Sequence, residues 1–178
     1  MILLGCKPAG RNTEQHDIFF GIATELKELK QDIVEFWKEA NGRIHIDAWR
    51  EVGYVDGFEI SVVKKQDGNN SSEKLFFLNL GGYKPGEFEE FHYKMLAVCP
   101  GKGMAITAAK KTAFYRHTGF KGATSHIDDK YGVDVDDVYE IEDILLARDK
   151  EQYQIMTRRV ENFGEDEMHL GYLKLDKL

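Results

Sequence analysis

The sequence predicts an α+β fold: two tandem ββαβ-type repeat units with pseudo-two-fold symmetry, antiparallel sheets with helices packed on one face, and an extra C-terminal hairpin. Three observations predict it. Short apolar runs alternate with glycine-bearing loops, each copy holds one amphipathic segment long enough for a helix, and the chain repeats itself in two registers. A shift of 76 residues lays Leu4-Gly5 on Leu80-Gly81, Gly10 on Gly86, Glu14 on Glu90 and His16 on His92. A shift of 81 lays His45-Ile46-Asp47 on His126-Ile127-Asp128 and Phe58 on Tyr139, which implies an insertion of about five residues around the second helix, where loop length is cheap to change. The units then span 1–65 and 74–146 and pack as one body, with the hairpin over 150–178.

The elements follow in order. Four residues precede Gly5, which predicts a short first strand and a sheet edge near Met1, open to pairing in a homodimer. After the loop from Gly5 to Gly10, residues 17–23 form the returning strand and Thr24 caps a helix. Leu26, Leu29, Ile33, Phe36 and Trp37 share one face of that helix, and Asn41-Gly42 ends it. Asp56-Gly57, between strands at 49–55 and 58–63, predicts a tight turn. Residues 66–73 are a polar linker. Residues 75–80 form a strand ended by Gly81-Gly82, and residues 91–99 form its antiparallel partner. A second helix covers about 103–117, where Ala105, Ala108, Ala109 and Thr112 are small enough to lie close to a sheet. Strands at 153–160 and 168–175, around an acidic loop, complete the terminal hairpin.

A chain of 178 residues with 42% hydrophobic content can bury an ordinary core. Its 24 basic and 31 acidic residues leave a net charge of −7, which argues against coating nucleic acid or an anionic membrane through bulk charge. No apolar run approaches the ~18 residues a membrane span needs, and the first residues do not read as a secretory signal. Cys6 and Cys99 fit neither a disulfide framework nor a four-cysteine zinc site, so the expected setting is the reducing cytoplasm, with both as ordinary buried or loop cysteines.

The candidate chemistry lies in four pairs of carboxylate and imidazole two residues apart: Glu14 with His16, His45 with Asp47, Glu90 with His92, and His126 with Asp128. On an extended strand that spacing puts both side chains on one face. A carboxylate there can orient a histidine for general base work, or both can ligate a divalent ion. The other reading is a buried imidazole satisfied by its carboxylate and reused because the fold repeats. No HExxH-like or cysteine-bearing spacing is present, so no metal ligand set and no cofactor is assigned. The glycine loops, with Lys7 and Arg11 in one and Lys84 in the other, bring amides and a cation together as an anion nest would. Each loop leads into a strand, however, and plain chain reversal accounts for its glycines. Finally, 102–127 carries five cations and no carboxylate. Lys110, Lys111, Arg116 and Lys121 are its ligand-binding candidates, with Phe114, Tyr115 and Phe120 interleaved, against the reading of a solvated helix face.

The strings from Gly5 to Asp17, His45-Ile46-Asp47-Ala48-Trp49-Arg50-Glu51, Leu80-Gly81-Gly82-Tyr83-Lys84-Pro85 and His126-Ile127-Asp128-Asp129-Lys130-Tyr131-Gly132 resemble the bacterial DUF1543 family of one- or two-copy domains of unknown function. The resemblance implies no reaction, ligand or catalytic residue. The expected function is a cytoplasmic, non-catalytic binding or interaction module for a small anionic ligand or a protein partner. No membrane is expected, and nucleic acid is not the expected partner, although 102–127 is where it would bind. The alternative is a small hydrolase-like or metal-dependent enzyme using the Glu/His and His/Asp pairs. The two readings part on whether the pairs converge in a solvent-reachable place or lie buried and separate.

Overall fold

A computed structural model describes residues 1–66, 68, 71–83, 86–111, 134–162 and 164–178. The class is α+β, and every strand pair among the described residues is antiparallel. Strands β1 (Ile2–Cys6), β2 (Gln15–Phe19), β3 (Ile44–Trp49) and β10 (His169–Lys174) form one sheet in the order β10-β3-β1-β2. Strands β4 (Tyr54–Val55), β5 (Phe58–Lys64) and β9 (Tyr153–Arg159) form a second, in that order. Strands β6 (Lys74–Tyr83), β7 (Glu90–Cys99) and β8 (Asp134–Glu140) form the third, with β6 in the middle.

Two expectations fail at the termini. The first strand is no edge: β1 is paired on both sides, by β2 and β3, and Ile2 and Leu4 are buried, so homodimer pairing there is closed. Nor do the last two strands form a hairpin. β9 pairs with β5, and β10 with β3. The acidic loop between them is too long for a tight turn, and Asp166 in it accepts hydrogen bonds from the Gly53 and Tyr54 amides, both at 3.0 Å, tying the loop to the first half of the chain.

The first helical segment is broken up. A 3₁₀ turn (Leu26–Leu29) precedes α1 (Lys30–Phe36), and a second turn (Lys38–Ala40) leads to Asn41 and Gly42 at φ 50° and 74°, the left-handed exit the sequence predicts. Thr24 does not cap the helix through its own side chain. Instead Glu28 reaches back and accepts from the Thr24 amide and hydroxyl, each at 3.1 Å. Leu29 and Ile33 are buried against Ile2, Leu4, Ile44 and Ile46, whereas Phe36 stays 41% exposed with its ring edge-on to Phe19. Asp32 is buried on this helix instead, paired with Arg148.

The turn at Asp56-Gly57 has φ of 52° and 80°, the two positive values a type I′ hairpin requires. β6 runs on through Gly81-Gly82 to Tyr83 and is not ended there. Phe76, Leu78 and Leu80 pack with Ala105 and Ala109 of α2 (Lys102–Ala109), while Leu75 and Phe77 enter a central core with Phe20, Val55, Ile60, Leu96 and Val98. Burial on both faces accounts for the unbroken apolar run. The short helices α3 (Ile141–Ile144) and α4 (Ala147–Gln152) carry the chain from β8 to β9. Cys6 and Cys99 are free and buried, and loss of hydration pushes both thiols up, away from the reactive thiolate. No helix of the described residues is long and apolar enough to cross a membrane.

The shift of 81 does not describe the structure. Tyr139 pairs with Phe77 in the third sheet, whereas Phe58 pairs with Val55 and Arg159 in the second. Opposite Gly5 stands His45, and opposite Gly81 stands Asp134, so the insertion before β8 is larger than five residues.

Candidate functional site

Two transverse rows of side chains lie at equivalent points of the first and third sheets. In the first, β1 runs between β2 and β3 with Gly5 opposite both His16 and His45. In the third, β6 runs between β7 and β8 with Gly81 opposite both His92 and Asp134. Adjacent strands are about 4.8 Å apart, so side chains on the two outer strands start about 9–10 Å from one another. They meet only where the middle residue has no side chain. A Cβ on Gly5 would overlap His45 Nε2 and Asp47 Oδ2, and a Cβ on Gly81 would overlap Asp136 Oδ2. Neither glycine has a positive φ, unlike Gly10 and Gly86 at 78° and 80°. The glycine loops therefore contain two kinds of glycine, one making room inside a strand and one turning the chain.

A β-bulge aims the aspartates. β1 and β3 pair Leu3 with Ala48 and Leu4 with Ile46, which leaves Asp47 as the extra residue. β6 and β8 pair Asn79 with Asp137 and Leu80 with Val135, which leaves Asp136 as the extra residue. Bulges of this kind re-aim a side chain out of the regular pleat.

The first cluster gathers four predicted residues, Glu14, His16, His45 and Asp47. His45 Nε2 lies 2.8 Å from Glu14 Oε1 and 3.2 Å from Asp47 Oδ1, and His16 Nε2 lies 3.4 Å from Asp47 Oδ2. That Asp47 oxygen is buried without a hydrogen-bond partner among the described residues. The His45 side chain is 12% exposed and His16 44%, so the cluster is open to solvent on the His16 side. Tyr172 of β10 lies over the His45 ring at 4.4 Å between centroids. Beside the cluster is a cleft of about 430 Å³ lined by Lys7, Arg11, Arg43, Glu14 and His45, with the Pro8-Ala9-Gly10 turn at its rim. Three cations face one carboxylate there, on a chain whose net charge is −7.

In the third sheet His92 Nε2 lies 3.5 Å from Asp136 Oδ2 and 4.0 Å from Glu90 Oε2. The Glu90 carboxylate hydrogen-bonds to Tyr83 and pushes that phenol up. His126 and Asp128 lie outside the described residues, as do Lys84, Arg116 and Lys121. Lys110 and Lys111 are exposed just after α2. Sequence reasoning missed Asp136, whose signal was the match of Asp134-Val135-Asp136 to His45-Ile46-Asp47 as polar, apolar, aspartate. It also missed Arg43 and Tyr172, which only folding brings to the cluster.

Residues 11–62 match the family model DUF1543, described as a Domain of Unknown Function, so the family resemblance holds over a segment containing all four residues of the first cluster. No curated protein matches the chain. Among solved structures the chain is similar to the crystal structure of a protein Il1583 from Idiomarina loihiensis, with a TM-score of 0.64 and 18% identity over 98% of this chain and 94% of that one. At that identity the likeness concerns the fold.

Proposed function

We propose that the protein is a binding module for a small anionic ligand carrying a phosphate-like group, taken up in the cleft of Lys7, Arg11 and Arg43 against the Glu14/His16/His45/Asp47 cluster. The observation that carries the reading is a cleft lined by three cations, Lys7, Arg11 and Arg43, together with His45 and a single carboxylate, in a chain whose net charge is −7. Arginine suits such a group because its planar fork donates two parallel hydrogen bonds.

The test is calorimetric titration of the full chain with inorganic phosphate. Arg11→Gln and Arg43→Gln should each weaken binding about tenfold, corresponding to about 1.4 kcal/mol, and the double variant should abolish it. Binding that is absent in the parent, or indifferent to both variants, overturns the proposal. The approach of His16 and His45 to the same aspartate favours acid–base work on the bound ligand as a second reading. Turnover of a phosphate ester in the same cell, lost in His45→Gln, would separate it from plain binding.

A further inference from the structure

We infer that Glu90, His92 and Asp136 form a binding site for a divalent ion of the zinc or manganese class in the third sheet. This site does not rest on the anion reading of the first. One ligand atom from each of the three residues lies within 4.8 Å of the other two. Ligand atoms held at about 2.0–2.2 Å from a common ion are at most about 4.4 Å apart. The 3.5 Å from His92 to Asp136 and the 4.0 Å from His92 to Glu90 already meet that limit.

The surroundings point the same way. Gly81 keeps the space over the middle strand clear, and a side chain there would overlap the Asp136 carboxylate and force it to shift. Asp136 is the bulged residue, aimed off the pleat by the same irregularity that aims Asp47. Tyr83, hydrogen-bonded to Glu90, is an outer partner of the sort that orients a ligating carboxylate. One imidazole with two carboxylates is a mixed nitrogen and oxygen set, suited to zinc or manganese and poor for calcium, which takes six to eight oxygens. All three side chains are about one-third exposed or more, so an ion held by them keeps positions open to water.

The experiment uses the full chain, stripped of metal, titrated separately with Zn²⁺ and Mn²⁺, with bound metal counted after gel filtration. His92→Gln and Asp136→Asn should each lose one equivalent per chain or weaken its binding at least tenfold. Gly81→Ala should do the same with the circular dichroism of the parent. The double variant Glu87→Gln/Glu89→Gln removes more charge from exposed positions near the cluster and should leave the titration unchanged. Retention of the full complement by Asp136→Asn and His92→Gln overturns the site, and so does equal loss in the Glu87/Glu89 variant, which would mean diffuse acidic attraction. Asp136→Asn preserves shape and keeps the test decisive if Gly81→Ala fails to fold. Failure of phosphate binding at Arg11 and Arg43 leaves these outcomes untouched, so the two proposals fail separately.

Discussion

Gly5→Ala should leave a folded protein whose phosphate binding is weakened at least tenfold. The added methyl meets the ends of two side chains, His45 and Asp47, and not backbone. Both clashes are with the far ends of side chains, which give way more cheaply than backbone, so the fold should lose only about 1–2 kcal/mol, the low end of what an extra methylene costs in a packed place. The cluster pays more, because His45 must leave both Glu14 and Asp47 to make room. Gly86→Ala is the contrast. Its φ is 80° and nothing lies near its missing Cβ, so it should cost about 1–2 kcal/mol of backbone strain with no change at the first cluster. Calorimetric titration and thermal melting of the two variants read this opposite pattern. A Gly5→Ala protein with parental affinity would show that the glycine does not make room for the site.

The second large effect is on stability. Arg148→Met should cost about 2–3 kcal/mol, which at this chain length lowers the melting temperature by roughly 4–12 °C. Arg148 donates to Asp32 from α4 and also reaches Asp149 at 3.4 Å. Both carboxylates are buried, with side chains 5% and 7% exposed, while the arginine itself is 57% exposed, which keeps the effect below that of a fully buried pair. The loss comes from stranding carboxylates more than from the attraction removed. Adding Asp32→Asn to Arg148→Met should therefore restore part of the stability. A single variant that melts with the parent, or a double variant less stable than the single, contradicts this account.

The first half of each cluster was legible because β1 pairs with β2 in the same register as β6 with β7, Gly5 facing His16 and Gly81 facing His92. The spacing from Gly5 through Gly10 to His16 is then repeated residue for residue from Gly81 to His92. In the first sheet the second half, His45 and Asp47, was legible as well, but in the third it was not. Asp136 reaches the row through a bulge, which breaks the period of two that sequence patterns rely on, and it follows an insertion of unequal length. Strands β9 and β10 were readable as strands from their composition, but periodicity does not name a partner, and nearness in sequence suggested a hairpin where each strand joins a different sheet. Asp32 was hidden for a related reason, since its burial depends on an arginine 116 positions away.

The central claim is that the carboxylate–histidine clusters are sites carried by the fold and not supports that hold it together. Denaturant unfolding of the double variant His16→Gln/His92→Gln tests this most directly. The two imidazoles are 44% and 38% exposed and lie at distances of 3.4 to 4.0 Å from their carboxylates, so the account predicts an unfolding free energy within about 1 kcal/mol of the parent at an unchanged slope. A loss of about 3 kcal/mol or more would contradict it, because the histidines would then be part of what keeps the two sheets folded.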